Sequence, residues 1–231
     1  KKVPLLLHID TAGEKAFVAI SKANTLLAHA KNEVSNTHAE FVQTAIDRLL
    51  KETSLKISEI DAVVVTMGPG SYTGLRVGLA SAKGIAYAID KPLIGLSTLA
   101  LLQHKAVKEI PNAETNYKIF SMIDARRMEV FGALYDNQGI AIFPEQAIIL
   151  DTAYIEGLLY ENILLYCVGS GANKVKMITN HPNIHFIEEQ YTLQDCIELA
   201  SIKFAKKQFE NLAYSSPSYI KDFYMAKPNT N

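Results

Sequence analysis

A glycine-rich segment, Met67–Gly78, is the first candidate for chemistry in this sequence. It reads MGPGSYTGLRVG, with four glycines in twelve residues, and it follows the apolar run DAVVVT. Glycine at this density is typical of a backbone that turns sharply or approaches another group closely. A strand, a glycine turn and a helix in this order can hold an anion at the helix N-terminus. The candidate degenerate anion or nucleotide loop therefore comprises Asp10, Thr11, Gly68, Gly70, Ser71 and Arg76.

The spacing of these glycines excludes two familiar phosphate motifs. A dinucleotide fingerprint needs a third glycine where Thr73 stands, and an acidic residue about twenty positions further on. A Walker loop needs Gly-Lys-Ser/Thr, whereas Ser71 and Leu75 follow the glycines here. Arg76 faces the positive end of the helix dipole, so we expect it to have an acidic partner, such as Asp10 or a ligand phosphate.

Other reactive side chains do not form a recognisable set. His181 and His185 have the spacing of a helical metal pair, but Pro182 between them favours a turn before a strand. The segment Asp124–Met128 contains two arginines but no glycine, which favours an exposed turn over a phosphate loop. The two cysteines have no metal or redox spacing. The sequence therefore predicts no catalytic residues and no metal ligands.

Two stretches of the chain follow the same pattern. Leu5–Ile20 can be laid over Ile119–Leu134 so that Asp10 falls on Asp124. In each stretch an apolar strand precedes the aspartate and an alternating strand follows it, which predicts a hairpin. We therefore expect the chain to contain one structural plan used twice.

The elements after each hairpin also correspond. Each half continues with a third strand, a helix, a buried strand, a glycine turn, a helix, a strand and a helix. Such a duplicated βββαβαβα order predicts an α/β protein with two mixed sheets, as in the actin-like ATPase, sugar-kinase and chaperone ATPase fold. A polar stretch with Pro111 marks the join, giving an N-terminal lobe at 1–110 and a C-terminal lobe at 111–231. The predicted elements are 25–31, 38–53, 60–89, 92–97 and 98–109, then 140–149, 151–160, 162–178, 184–189 and 193–210.

Composition places the chain among ordinary globular proteins. Of its 231 residues, 48% are apolar and 20% are charged. A formal net charge of −1 argues against binding nucleic acid over the whole surface, although a local basic patch stays open. No apolar run is long enough for a signal sequence or a membrane span. We expect a cytoplasmic protein without membrane contact.

The helix after the glycine loop contains many residues with small side chains. Small residues allow another backbone to approach closely, so this helix and the apolar stripe of the preceding one predict a protein-docking face. Alone, the chain is expected to form a homodimer through the same two helices. The alternative to a docking face is tight packing of this helix on the chain's own sheet. The predicted interface comprises Phe41, Ala45, Leu49, Gly74, Gly78, Ser81, Ala82 and Ile85.

The chain resembles the TsaB (YeaZ) family over nearly its whole length. Four segments carry the resemblance, and GPGSYTGLR is the specific element among them. The segments are HIDTA at 8–12, GPGSYTGLRVGLASAKGIA at 68–86, DARRMEVFGALY at 124–135 and PSYIK at 217–221.

The resemblance implies an actin-like ATPase fold and a role in making threonylcarbamoyladenosine next to the tRNA anticodon. Members of the family are similar to the catalytic subunit TsaD but lack its catalytic equipment. They pair with TsaD through the helices of the N-terminal half, in a complex also served by TsaE. The implied chain is a non-catalytic subunit that reaches tRNA through the complex and needs no cofactor, while ATP and a metal ion serve the complex.

The sequence agrees with the non-catalytic role, and two alternatives are a small-molecule kinase and a metallopeptidase. Residues 98–105 contain His104 alone, whereas TsaD has an H-x-x-x-H metal motif in the matching region. Ala12 stands where serine is frequent and Lys221 where arginine is usual, so a nucleotide contact at Asp10 and Thr11 stays open. A small-molecule kinase would need a second glycine hairpin and an aspartate base. A metallopeptidase would need metal ligands that the spacing does not supply.

Overall fold

The first half of the chain forms a five-stranded mixed sheet. The computed structural model describes residues 3–32, 38–159, 163–188 and 190–220. In the sheet order β3-β2-β1-β4-β5, the first three strands pair antiparallel, and the last two join in parallel. The apolar run of β4 suits a strand buried on both faces. The strands are β1 (Leu5–Asp10), β2 (Ala16–Lys22), β3 (Thr25–Asn32), β4 (Ala62–Gly68) and β5 (Leu93–Ser97).

The second half repeats this sheet with the corresponding order, β10-β9-β6-β7-β8. Asp10 ends β1 and Asp124 ends β6, so the two aspartates occupy equivalent positions. The turn after the first spans residues 11–15, and the turn after the second, 125–128, is one residue shorter. The predicted duplication is confirmed. The strands are β6 (Tyr117–Asp124), β7 (Glu129–Asp136), β8 (Ala141–Ile149), β9 (Leu164–Val168) and β10 (Ile184–Ile187).

Six α-helices in the described residues cover the sheets in layers. Helices α1 and α2 pack on the outer face of the first sheet, and α4 and α5 on that of the second. Helices α3 and α6 lie between the sheets, α3 mainly against the second and α6 against the first. Each half thus contributes one helix to the other half's core. The helices are α1 (His38–Glu52), α2 (Tyr72–Ala88), α3 (Thr98–Glu109), α4 (Thr152–Gly157), α5 (Ala172–Ile178) and α6 (Leu193–Ala205).

The last helix is shorter than predicted. The sequence pattern places its end at Glu210, but α6 stops at Ala205, because Lys207 adopts a left-handed conformation with φ of 55°. The residues that follow, 209–220, are called the C-terminal segment below. Within it, Glu210 bridges to Leu93 at the edge of β5, and the Ser218 amide donates to the Met67 carbonyl at 2.8 Å. The C-terminal segment therefore returns to the first sheet.

None of the helices in the described ranges is both long enough and apolar enough to cross a bilayer.

Candidate functional site

A cleft of about 1010 Å³ lies where the carboxyl ends of the central strands of both sheets meet. Its walls include the turns after β1 and β6, the glycine loop after β4, the start of α3 and residues 190–193. Loops diverge at this end of parallel strands, which is why α/β proteins bind ligands there. Of the predicted loop, Asp10, Gly70 and Ser71 line the cleft.

Asp10 is buried, with 2% of its surface exposed. Its Oδ1 accepts the Ala12 amide at 2.9 Å, and its Oδ2 accepts the Tyr191 hydroxyl at 3.0 Å. Burial raises the pKa of this carboxyl, against the lowering effect of these hydrogen bonds and of one from Thr66. Both carboxyl oxygens are thus already engaged by groups of the chain itself.

The glycine loop receives the first hairpin turn. The Ser71 amide donates to the Ala12 carbonyl at 2.7 Å, and the Thr11 hydroxyl donates to the Gly74 carbonyl at 2.6 Å. A Cβ added at Gly70 would overlap the Ala12 carbonyl oxygen, and one at Gly74 would overlap the Thr11 carbonyl oxygen. The group that approaches these two glycines is therefore the backbone after Asp10.

The second aspartate has a different environment. Asp124 is half exposed, and its Oδ1 accepts the Lys174 ammonium at 2.8 Å and the Arg126 amide at 2.6 Å. Lys174 lowers the pKa of this carboxyl. Arg126 and Arg127 both adopt positive φ, of 70° and 45°, which lets the turn close without glycine. The predicted exposed turn is confirmed.

A nucleotide with its metal ion does not fit these residues. At the first hairpin the carboxyl oxygens of Asp10 are bonded, and the Ser71 amide is taken by a carbonyl. At the second hairpin the Lys174 ammonium and the Arg126 amide both donate hydrogen bonds to the Asp124 carboxylate. The two hairpin carboxylates and the Ser71 and Arg126 amides are therefore bonded within the chain.

Arg76 has an aromatic environment, so the predicted pairing with Asp10 is wrong. Its Nε donates to the Tyr219 hydroxyl at 2.9 Å, and its guanidinium lies 4.3 Å from the centre of the Tyr72 ring. The two tyrosine rings lie 5.1 Å apart. This contact joins the PSYIK segment to the start of the helix that follows the glycine loop. Lys221, the last residue of that segment, lies outside the described residues.

The structure assembles one candidate metal cluster that the sequence spacing did not reveal. Donor atoms of His104, Asp195 and Glu198 lie within 4.8 Å of one another, between α3 and α6. The Lys108 ammonium donates to both carboxylates, at 2.7 Å and 2.5 Å. This contact holds the pKa of Glu198 at about 2. Because the Lys108 ammonium already bonds to both carboxylates, the geometry of the cluster is that of an ion-pair network joining two helices.

The histidine pair of the C-terminal half is not a helical metal pair. His181 lies in the turn before β10, where its Nδ1 accepts the Asn183 amide at 3.2 Å. His185 lies within β10 and stacks on the Tyr166 ring, with 5.1 Å between the ring centres. The predicted turn is confirmed.

Most of the predicted interface is wrong, because it lies inside the first half's own core. The sequence places these small residues on a docking face, whereas the structure turns them toward the first sheet or the Thr11 turn. Glycine and alanine show little contrast in hydrophobicity, so their pattern did not reveal which side of the helix was buried. Only Phe41, Ser81 and Ile85 are part-exposed. The buried residues are Ala45, Leu49, Gly74, Gly78 and Ala82.

The outer side of α2 carries a different row of small residues, none of which belongs to the predicted interface. Ala80, Gly84 and Ala88 are exposed and stand one turn apart. A Cβ added at Gly84 would meet open space. Beside this row, α1 lies alongside α2, with Gln43 donating to the Ser81 hydroxyl at 3.2 Å. We call Ala80, Gly84 and Ala88 the α2 ridge.

Comparison with known proteins identifies relatives of the chain. The model of the TsaD family, described as tRNA N6-adenosine threonylcarbamoyltransferase, matches residues 28–228. The tRNA threonylcarbamoyladenosine biosynthesis protein TsaB of Escherichia coli strain K12 is 34% identical over 137 residues. That alignment covers 58% of this chain and 57% of the relative, so the chain spans little more than half of that relative's length.

Solved structures agree with the fold. YeaZ from Pseudomonas aeruginosa superimposes with a TM-score of 0.76 at 23% identity, covering 94% of this chain and 99% of that one. An inorganic polyphosphate/ATP-glucomannokinase from Arthrobacter sp. strain KM gives 0.51 at 11% identity, covering 88% and 99%. The predicted actin-like and sugar-kinase architecture is confirmed.

Proposed function

Because the chain belongs to the TsaD family and, within it, to the TsaB (YeaZ) proteins, we propose that it is a non-catalytic subunit in tRNA threonylcarbamoyladenosine biosynthesis. It binds and activates a TsaD-type catalytic partner. The modified base is the adenosine next to the anticodon, and this chain reaches tRNA through the complex.

The non-catalytic role is supported by the cleft. An actin-like kinase needs two hairpins that can hold phosphates and an aspartate free to act as a base. Here Asp10 is bonded to Ala12 and Tyr191, and Asp124 is bonded to Lys174. No observation favours the small-molecule kinase or the metallopeptidase, because both hairpin aspartates are bonded within the chain and both carboxylates of the His104 cluster pair with Lys108.

The observation that carries the docking role is the α2 ridge. Small exposed residues one turn apart let a second helix approach to about 8 Å between axes. A TsaD-type partner shares the fold and offers its own helix pair, and a second copy of this chain does the same. We propose that the homodimer formed by the chain alone uses this face, so partner and second copy compete for it.

The remaining parts of the proposal concern the assembly. A TsaE-type ATPase acts on the assembled pair, and the complex works in the cytoplasm. The complex uses ATP and a metal ion bound by the partner, and this chain requires no cofactor of its own.

Reconstituted tRNA modification tests this function. We expect Ala80→Glu to fold normally, because Ala80 is exposed, yet to lose both partner binding and modified adenosine, since an unpaired buried charge is strongly unfavourable. Ala153→Glu, at an exposed alanine of α4, is the matched control and should keep both. Full partner binding by the folded Ala80→Glu variant would overturn the proposed docking face.

A further inference from the structure

The side of α2 away from α1 is lined by tyrosines and cations that meet the C-terminal segment. Tyr72, Arg76, Lys83 and Tyr87 are spaced by four, seven and four residues, which places them on one side of the helix. At one end of this side, Arg76 contacts Tyr219. The side chain contacts therefore join α2 to a part of the chain that is distant in sequence.

Lys83 makes a second contact between α2 and the C-terminal segment. Its ammonium donates to the carbonyl of Ala213 at 3.3 Å and to that of Ser215 at 3.0 Å. Tyr214 lies between these two residues, and Tyr87 lies one turn after Lys83 on the helix. Each of the two tyrosines is therefore close in sequence to a residue of the contact between Lys83 and the C-terminal segment.

These two tyrosines are the most exposed large apolar side chains in the described part of the chain. Tyr214 is 87% exposed and Tyr87 is 80% exposed. Exposed tyrosines grouped on one surface are typical of the residues that dominate protein interfaces, because a large rigid ring is buried at low entropic cost. Tyr87 borders the α2 ridge, since it stands three residues after Gly84 and directly before Ala88 on the same helix.

We propose that the C-terminal segment is a second part of the surface that docks the catalytic partner, with Tyr87 and Tyr214 as its anchors. The inference rests on the proposed function and extends it from the α1–α2 face to residues 209–220. The occupant is a helical face of the partner protein. This face lies along the α2 ridge and buries the rings of Tyr87 and Tyr214.

The charges on this surface favour a protein over RNA as the occupant. Binding to an RNA backbone requires cations that can pair with phosphates. Arg76 is held by Tyr219 and Tyr72, and Lys83 is held by two main-chain carbonyls. Arg76 and Lys83 thus have partners within the chain, whereas the rings of Tyr87 and Tyr214 and the small residues remain exposed.

Calorimetric titration of the full chain with a purified TsaD-type partner tests the inference. Tyr87→Ala and Tyr214→Ala should each weaken binding at least tenfold, without changing the melting temperature, because both rings are almost fully exposed. Met177→Ala is the matched control, since Met177 is 75% exposed on α5 in the other half, and it should leave the affinity unchanged.

The outcomes separate this inference from the proposed function. If the tyrosine variants bind as tightly as the wild type while Ala80→Glu loses binding, the inference is overturned and the proposed function stands. If Ala80→Glu also binds normally, both fail. If the tyrosine variants keep the partner but the assembled complex loses affinity for tRNA, the surface contacts RNA and the inference is overturned.

Discussion

The two aspartates at equivalent ends of β1 and β6 have opposite surroundings. Asp10 is buried and meets a hydroxyl and an amide, and burial raises its pKa. Asp124 is half exposed and meets an ammonium group, which lowers its pKa. The duplication thus preserves the position of the carboxyl group but not its chemistry.

This difference shows that equivalent carboxylates of the two halves are engaged by different groups of the chain. In the first half the hairpin turn packs into the glycine loop. Ala12 of this turn donates its amide to Asp10 and accepts the Ser71 amide of the loop. In the second half Lys174 supplies a positive charge from within the chain. Both halves keep their framework, so the fold persists while its outer surface can serve partner binding.

The largest expected effect comes from breaking the packing of the first hairpin on α2. Gly74→Ala should cost about 3 kcal/mol of unfolding free energy, because the new Cβ would overlap the Thr11 carbonyl oxygen. Gly84→Ala is the matched control on the same helix and should stabilise the fold by about 0.5 kcal/mol. Urea unfolding measures both, and equal effects in the two variants would contradict the proposed packing.

Removing the internal cation of the second half should have a smaller effect. Lys174→Met is expected to lower the unfolding free energy by about 2 kcal/mol, since it removes a charged hydrogen bond and a donor to the Glu129 carbonyl. The loss should shrink when Asp124→Asn is also present. A double-mutant cycle measures this coupling, and a coupling of zero would show that Lys174 does not act through Asp124.

The pH dependence of stability should have opposite signs at the two aspartates. The raised pKa of Asp10 gives a contribution that is present below the ordinary pKa of 3.8 and is lost as pH rises through the folded value. The lowered pKa of Asp124 gives a contribution that is present above 3.8 and is lost as pH falls through the folded value.

The matched variants separate these two contributions. Asp10→Asn should flatten the loss of stability on raising pH, and Asp124→Asn should flatten the loss on lowering it. Unfolding free energies measured from about pH 3 to pH 7 test this. Slopes of the same sign in both variants would contradict the two environments.

The smallest expected effect concerns the hydroxyl on Asp10. Tyr191→Phe removes one donor to a buried carboxyl and should cost about 1 kcal/mol, while raising the pKa of Asp10 further. Thermal melting measures the stability change. A variant as stable as the wild type would show that the hydroxyl does not stabilise the folded state.

Sequence periodicity predicted the fold because its signals are local. The alternation around Asp10 and Asp124 predicted both hairpins, and the apolar run of β4 predicted a buried strand. The helix after Asp151 also starts as predicted, since its carboxylate accepts the Tyr154 amide at 2.7 Å. Each of these features depends on residues close together in the chain.

The site was predicted less well because its contacts are distant in sequence. Arg76 and Tyr219 are 143 residues apart, and Lys174 reaches Asp124 from 50 residues away. The exposed side of α2 was misassigned for another reason, since Ala80 and Ala82 have the same side chain and only packing distinguishes them. Long-range contacts and the burial of small residues require the three-dimensional structure.

The most direct test of the central claim, that groups of the chain itself occupy the carboxylates of both hairpins, is a calorimetric titration of the isolated chain with ATP and magnesium. We predict no measurable binding at micromolar concentrations and no release of phosphate. Tight binding with steady hydrolysis that Asp10→Ala abolishes would contradict the claim and the non-catalytic role together.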